Sequence, residues 1–361
     1  MRKTAIAIIL GSLALAGCAT MPKPSEVVWP PPPDKARIRF VQAFNSSRML
    51  DDTSWGKIRR AVFGDGKEVQ VVFPVGLAIS DDGKRLYIAD GGHNKVLRAD
   101  FERKEVTLMA PDEPSSGAFN VVLDADENVY FTDGPAKVVR VVKRDGTPLR
   151  VFGSEHLERP TGLALDRERK RLYVADAATR ESKNHRVVVF DLQGTKVGEI
   201  GTKGDQPGEF YFPVYLALDE QGNLYVGDTM NFRIQVFNPE GQFVRMFGQN
   251  GDGPGSFDKL KGLAFDKLGN LYAVDGGHSN VQVFNKRFQP LTFFGGYARK
   301  LEYFDVPSAI AIDKNTNRIY VANEFIARVN VYELINTTAE DCGNAPTTPE
   351  ASPAEVEKAP K

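Results

Sequence analysis

Residues 213–237 read PVYLALDEQGNLYVGDTMNFRIQVF, and this stretch decides the fold. The nearly continuous apolar run from Pro213 to Leu218 is typical of a strand that is buried on both faces. Residues Ile234 to Phe237 alternate between apolar and polar, as in a half-buried strand. The glycine turn at Gly222 separates the first two apolar runs. The stretch therefore predicts consecutive short antiparallel strands.

The same pattern occurs six times between Phe73 and Tyr332, with a period of about 45 residues. A fourth strand follows in most copies, as in residues Gln242–Phe247. Four strands per repeat predict one blade of a β-propeller. Each second strand ends on an acidic or amide residue, and the six are Asp90, Asp133, Asp176, Asp228, Asp275 and Asn323. We therefore expect an all-β, six-bladed β-propeller over residues 36–335.

The sixth copy has no fourth strand after Tyr332, whereas residues Arg37–Phe44 at the front of the chain have the character of one. We predict that this N-terminal strand completes the last blade. Closing the ring with both ends of the chain would remove exposed sheet edges and fasten the termini.

The Gly-Leu-Ala steps, the sequence Leu-Tyr-Val-Ala-Asp at residues 172–176 and the sequence Asn-His-Arg-Val-Val-Val-Phe at residues 184–190 resemble NHL repeats. This resemblance implies a six-bladed propeller. It says little about activity, because propellers host many unrelated functions.

The N-terminus has the pattern of an export signal. Arg2 and Lys3 precede an apolar run of about thirteen residues, which is shorter than the roughly twenty needed to span a bilayer. The following Leu15-Ala-Gly-Cys18 resembles a bacterial lipobox. That resemblance implies a signal peptide at residues 1–17, acylation of Cys18 and an outer-membrane lipoprotein on the periplasmic or cell-surface side. An ordinary signal peptide is the alternative.

Two segments lie outside the predicted propeller. Residues 18–35 are rich in proline, which predicts an extended tether. Residues 336–361 have four prolines and few large apolar residues, and we expect a disordered tail. Cys342 in that tail is expected to be an exposed free thiol or half of an intermolecular disulfide. Residues 53–63 have one apolar helical face, which predicts a helix covering one side of the propeller, with a membrane or partner contact as the alternative.

The inner strands of a propeller open onto a central channel, which is the usual place for a ligand. A lysine and a tyrosine there could orient an anionic or planar ligand, although a lone lysine at a channel mouth is also common as simple lining. The candidate binding residues at this mouth are Val75, Phe119, Asn120, Thr161, Val214, Tyr215, Lys261 and Ser308.

No catalytic or metal site is predicted, and no cofactor is expected. The zinc-dependent amidating lyases resemble this fold and carry histidines after the proline of several inner strands. Here those positions hold Val75, Thr161, Val214 and Ser308. Gluconolactonase-like propellers use acidic and amide ligands around the axis. In this sequence, neither the first nor the second aligned position of the six inner strands holds a carboxylate. His93, His185 and His278 lie in turns of alternate blades, too far apart for one metal ion.

Two further features have structural and functional interpretations. The strand-end carboxylates recur in every blade, which favours a structural role as acceptors for backbone N–H groups. The turn between the second and third strands of blade three is longer than the others. Insertions on one face of a repeat array often mark a binding face, so Arg180, Glu181, Lys183 and His185 form a candidate binding loop. A tolerated surface insertion with no binding role is the alternative.

The formal net charge is −1, which gives no electrostatic reason to expect nucleic-acid binding. We therefore expect an exported, lipid-anchored propeller that acts as a protein-binding or scaffold module of the cell envelope. Its partner could be a multihaem cytochrome, because the chain resembles lipid-anchored NHL proteins that are found alongside multihaem cytochromes in metal-respiring bacteria. The alternative is an enzyme of the lyase or lactonase type that binds a small ligand at the channel.

Overall fold

The computed structural model describes residues 26–51 and 68–343. The sequence predictions for the signal peptide, Cys18 and the helix over residues 53–63 lie outside these ranges, as do most of the predicted tail and part of the tether. No helix among the described residues is long and apolar enough to cross a membrane.

Twenty-seven strands lie in the described ranges, and most of them belong to six antiparallel sheets arranged as blades. The chain begins with β1 (Val28–Trp29) and β2 (Ile38–Phe44), followed by the short helix α1 (Ser47–Leu50). Blade one contains β3 (Pro74–Ile79), β4 (Arg85–Asp90), β5 (Lys95–Asp100) and β6 (Glu105–Leu108). Blade two contains β7 (Ala118–Leu123), β8 (Val129–Asp133), β9 (Val138–Val142) and β10 (Pro148–Phe152). Blade three contains β11 (Pro160–Asp166), β12 (Arg171–Ala177), β13 (His185–Asp191) and β14 (Lys196–Ile200).

A two-stranded parallel ribbon, β15 (Thr202–Lys203) and β16 (Glu209–Phe210), leads into the second half of the ring. Blade four contains β17 (Pro213–Leu218), β18 (Leu224–Asp228), a 3-10 turn (Thr229–Asn231), β19 (Arg233–Phe237) and β20 (Phe243–Phe247). Blade five contains β21 (Leu260–Phe265), β22 (Leu271–Asp275), β23 (Asn280–Phe284) and β24 (Pro290–Gly295). Blade six contains β25 (Pro307–Asp313), β26 (Arg318–Asn323) and β27 (Arg328–Leu334).

The first strands of the six blades form the inner ring. Each packs against the first strand of the next blade, and β25 of blade six packs against β3 of blade one, so the ring is closed. Strand β2 pairs with β27 in antiparallel register, from Ile38 opposite Leu334 to Phe44 opposite Val329. This confirms both the six-bladed fold and its closure by the N-terminal strand.

The apolar core is divided among the gaps between neighbouring blades. Six clusters of buried side chains fill these gaps, because each blade is apolar on both faces. The cluster between blades six and one includes Phe44 from β2, together with Leu86 and Val329. The closing strand therefore contributes to the core as well as to the sheet.

The predicted tether is wrong for its described part. Strand β1 pairs with β2, and Trp29 is buried beside Phe294, Tyr303 and Tyr332. An extended, proline-rich segment suits a sheet edge as well as a linker, since an edge strand can lack N–H donors. The ordered fold thus begins ahead of residue 36.

The predicted tail also differs in its described part, residues 336–343. Asp341 forms an ion pair with Lys35 at 3.1 Å. Cys342 is a buried free thiol rather than an exposed one, and Asn270 donates a hydrogen bond to its sulfur at 3.3 Å. The segment remains on the propeller because these contacts hold it there.

Burial raises the pKa of the Cys342 thiol. Since the thiolate is the reactive form, we expect alkylation of Cys342 at about pH 8 to be at least about tenfold slower in the folded protein than in urea. Peptide mapping by mass spectrometry measures this directly. Equal labelling rates in the two states would contradict the buried position.

Candidate functional site

The mouth of the central channel is built from the first residues of the six inner strands. Two of the predicted binding residues use their hydroxyl groups in hydrogen bonds within the protein. The Ser308 hydroxyl donates to the carbonyl oxygen of Pro74 in blade one at 2.8 Å. The Thr161 hydroxyl lies 3.2 Å from the carbonyl oxygen of Ala175 and 3.3 Å from that of Pro213. Both side chains are buried and join neighbouring strands.

Glycines in alternate blades keep the inner ring narrow. Gly76, Gly162 and Gly262 occupy equivalent positions in blades one, three and five. A Cβ atom on Gly162 would lie 2.4 Å from the carbonyl oxygen of Val214 in the next blade. The backbones of adjacent inner strands therefore approach more closely than any other residue would allow.

An aromatic pair lies within this ring. The rings of Phe119 in blade two and Tyr215 in blade four are 5.7 Å apart between centroids. Tyr215 is buried, and burial raises the pKa of its hydroxyl, with a smaller contribution from the charge of Glu324. Asn120, next to Phe119, is partly buried, and its backbone N–H donates to the Thr132 hydroxyl. Two blades that are not neighbours thus meet through their aromatic side chains.

The lysine predicted at the mouth is not a free cation. Lys261 Nζ donates to Glu324 Oε1 at 2.7 Å, and their side chains are 19% and 9% exposed. The sequence prediction missed Glu324, because it lies in the turn after Asn323 and not in an inner strand. The sequence does contain an indication of this residue. The equivalent positions of the other blades hold small residues, namely Gly91, Gly134, Ala177, Thr229 and Gly276.

The described residues contain no group of three or more His, Cys, Asp or Glu side chains that could hold a metal ion. At the channel mouth, Glu324 is already paired with Lys261, and Asn120 supplies one amide. The polar side chains described at the channel mouth are therefore one carboxylate that pairs with a lysine and one amide, with no histidine.

The three turn histidines have separate partners. His93 Nε2 lies 2.8 Å from the carbonyl oxygen of Gln70. His185 is fully buried, and its Nδ1 accepts a hydrogen bond from the backbone N–H of Phe212 at 3.0 Å. His185 is thus a structural residue. The prediction that it belongs to an exposed binding loop is wrong. His185 begins β13.

The rest of that loop lies at the surface. Arg180, Glu181 and Lys183 are exposed, in a connection from residue 178 to residue 184. Lys203 donates to the carbonyl oxygen of Arg180. The loop is therefore tied to the connection between blades three and four.

The strand-end carboxylates accept hydrogen bonds from the backbone, as predicted. Asp90 accepts hydrogen bonds from the backbone N–H groups of Val72 and Phe73, which precede the first strand of its blade. It also accepts from those of Gly92 and His93, in the turn that follows Asp90. In blade four, Asp228 Oδ2 also accepts from Arg233 Nε at 2.9 Å. These residues fasten the connections on one face of the ring.

This face, which we call the upper face, carries the turns between second and third strands and the connections between blades. It also carries exposed apolar side chains. They are Val72, Phe73, Met230, Tyr297, Leu301 and Phe325, of which Tyr297 and Phe325 are 68% and 67% exposed. Among the described residues, no exposed large apolar side chain lies in a turn of the opposite, lower face. Phe325 directly follows Glu324, so one of these apolar side chains lies beside the channel mouth.

His278, also on the upper face, has both ring nitrogens close to carboxylates. Its Nδ1 lies 2.7 Å from Asp275 Oδ2, and its Nε2 lies 3.2 Å from Asp252 Oδ1. Burial lowers the pKa of His278, but the hydrogen bond to Asp252 and the charge of Asp275 together outweigh it and raise the pKa.

A raised pKa in the folded state stabilises the protein below the unfolded value of about 6.5, and this stabilisation is lost as the pH rises through the folded value. We therefore expect His278→Gln to lower Tm more at about pH 5.5 than at about pH 8.5. Thermal unfolding at both pH values measures this, and Asp252→Asn should reduce the difference. A Tm loss that is the same at both pH values would contradict the interaction.

Comparison with known proteins agrees with this architecture. Residues 214–291 match the family described as a 6-bladed beta-propeller, and the ring defines the same class. Residues 157–190 match the NHL repeat. The chain is a six-bladed β-propeller, and its third blade matches the NHL repeat.

A curated relative, the gluconolactonase of Zymomonas mobilis subsp. mobilis, is 25% identical over 172 residues, which are 42% of this chain and 48% of that protein. The chain thus spans about half the length of this relative. Similar solved structures include a structural genomics protein of unknown function from Bacteroides thetaiotaomicron (TM-score 0.55, 18% identity, 73% of this chain and 70% of that one). Virginiamycin B lyase from Staphylococcus aureus has a TM-score of 0.52 at 14% identity, covering 74% and 96%. A chain of the nidogen/laminin complex has a TM-score of 0.57 at 18% identity, covering 76% and 97%. At these identities the structures share the fold alone.

Proposed function

We propose that this propeller is a protein-binding module whose upper face receives the partner. The observation that carries the proposal is a difference between the turns of the two faces. Besides the outer strands, exposed large apolar side chains are found in upper-face turns and connections and not in described lower-face turns. Several exposed apolar side chains on one face of a folded protein favour an interaction site on that face. Aromatic residues are also enriched at the centres of interfaces.

The channel mouth supports the same interpretation. The Lys261–Glu324 ion pair and the Phe119–Tyr215 pair occupy the centre of the ring, and Phe325 extends from the same turn as Glu324. A partner on the upper face would bury Phe325, in the same turn as Glu324, and Tyr297, in the connection between blades five and six. Such a site favours a broad apolar contact with a polar centre.

Site-specific photocrosslinking in the native cells tests the face. A benzophenone amino acid at position 325 should give a crosslinked species of one defined mass. The same probe at Lys267, an exposed residue of a lower-face turn, is the matched control and should give none. Crosslinks from both positions, or from position 267 alone, would reject the upper face as the binding face.

We further propose that the propeller is exported and anchored by an acyl group on Cys18, with its partner in the cell envelope, for which a multihaem cytochrome is one candidate. The support is the sequence Leu15-Ala-Gly-Cys18 after an apolar run. Metabolic labelling with a fatty-acid analogue should label the parent protein and not Cys18→Ser, and the variant should leave the membrane fraction. An unlabelled parent would reject the anchor. A crosslinked species from position 325 that lacks haem absorbance would reject a cytochrome partner.

The similarity to a gluconolactonase supports a second candidate, a small-ligand enzyme acting at the channel mouth. Lys261, Glu324 and Asn120 are the polar side chains available there. Lactone hydrolysis assayed with added Ca²⁺ or Zn²⁺, with Glu324→Gln as the matched control, decides this alternative. No hydrolysis above the level of the variant would reject it.

A further inference from the structure

A surface cleft of about 510 Å³ lies at the outer edge of blade five, away from the channel. Four chain segments converge on it, namely Trp29–Pro31, Asp252–Pro254, the stretch from His278 to Gln282, and Pro290–Phe293. Phe293 on the outer strand β24 is 59% exposed.

The lining of this cleft suits a proline-rich segment. Trp29, Pro30, Leu291 and Phe293 supply aromatic and aliphatic surface. Asn280 Oδ1 is buried in the cleft wall and accepts no hydrogen bond within the described ranges. Grooves lined by aromatic side chains bind polyproline II segments, which are extended before binding and lose little entropy.

The last described residues lie beside this cleft. Cys342 lines a neighbouring pocket of about 170 Å³, and residues Pro290–Thr292 line both the pocket and the cleft. The hydrogen bond from Asn270 and the ion pair of Asp341 with Lys35 fix the chain at this point. The chain therefore continues from Gly343 at the edge of strand β24.

The sequence that follows has the matching chemistry. Residues 344–361 read NAPTTPEASPAEVEKAPK, in which Pro346 and Pro349 are separated by two threonines. This is the PxxP spacing of polyproline II ligands. At about 3.1 Å per residue, Pro346 and Pro349 can reach about 9 and 19 Å from Gly343. We propose that the segment Pro346–Pro349 of this same chain docks in the cleft against Phe293.

Limited proteolysis of the full-length protein tests this proposal. A glutamate-specific protease cleaves after Glu350, which directly follows Pro349. When the segment docks and undocks much faster than the protease cuts, the cleavage rate is proportional to the fraction of molecules in which the segment is undocked. We expect this bond to be cut about tenfold more slowly in the parent protein than in Phe293→Ser or in the double variant Pro346→Ala/Pro349→Ala. The bond after Glu357 in each digest serves as the internal reference.

Blade two offers a matched control. Val151 occupies in the sequence Pro-Leu-Arg-Val-Phe-Gly the position that Phe293 occupies in Pro-Leu-Thr-Phe-Phe-Gly, and it is 54% exposed. Val151→Ser should leave the cleavage rate at that of the parent, and all variants should keep the Tm of the parent. Equal rates in the parent and Phe293→Ser would overturn the proposal. Protection that disappears on dilution would also overturn it, because the occupant would then be a second copy.

Discussion

Replacing Phe44 with alanine should destabilise the protein by about 3–5 kcal/mol, which is the usual cost of removing a buried phenylalanine. Phe44 is fully buried in the cluster between blades six and one, and its ring lies 6.0 Å from that of Phe101. It also ends the strand that closes the ring, opposite Val329. The loss therefore weakens both the core and the attachment of the N-terminal strand. Equilibrium unfolding in urea measures it.

The same strand provides the control. Val41 lies at the irregularity in the register of β2, and it is 38% exposed. Val41→Ala should change the free energy of unfolding by no more than about 0.5 kcal/mol. If Phe44→Ala cost as little as Val41→Ala, the N-terminal strand would not be an integral part of the ring.

Asp228→Ala should be similarly severe, at about 3–5 kcal/mol. Asp228 is fully buried, and it accepts hydrogen bonds from the Tyr211 backbone at 2.6 Å, from Asn231 at 2.8 Å and from Arg233 at 2.9 Å. Burial raises its pKa against the opposing effect of these donors. Removing the carboxylate leaves the buried guanidinium of Arg233 without its counter-ion. Urea unfolding also measures this loss.

Asp228→Asn tests the reason for that loss. It keeps the side-chain volume and one acceptor, and blade six shows that an amide can serve at this position, since Asn323 Oδ1 accepts the backbone N–H of Asp305 at 3.0 Å. We expect a smaller loss than for alanine, while Asp112→Ala, an exposed acidic residue, should be nearly neutral. An asparagine variant as unstable as the alanine variant would show that charge, rather than hydrogen bonding, dominates.

The number of blades and the closure of the ring could be predicted because they depend on local periodicity. Six copies of one strand pattern, with one strand missing at the end and one to spare at the start, define the topology. The burial of Trp29 could not be predicted in this way. Strand β1 has only two residues, which is too short for a period, and its aromatic partners lie in blades five and six.

The candidate site was predicted only in part. Lys261 and Tyr215 were assigned to the channel because the repeats align. The partner of Lys261 is Glu324, 63 residues along the chain and in a turn. The contact between Phe119 and Tyr215 joins blades that are not adjacent in the ring. Both contacts depend on the closed geometry, which no single repeat encodes. His185 is buried against Phe212 of the next blade, and this contact cannot be predicted from the repeat that contains His185. The sequence therefore places His185 in a surface loop.

The position of strand β1 limits how the disc could sit on a membrane. Val28 is fixed to the outermost edge of blade six. An acyl group on Cys18 would be ten residues away, a leash of at most about 36 Å. Blade six would then stay near the lipid surface, while blade three, across the ring, could swing farthest from it.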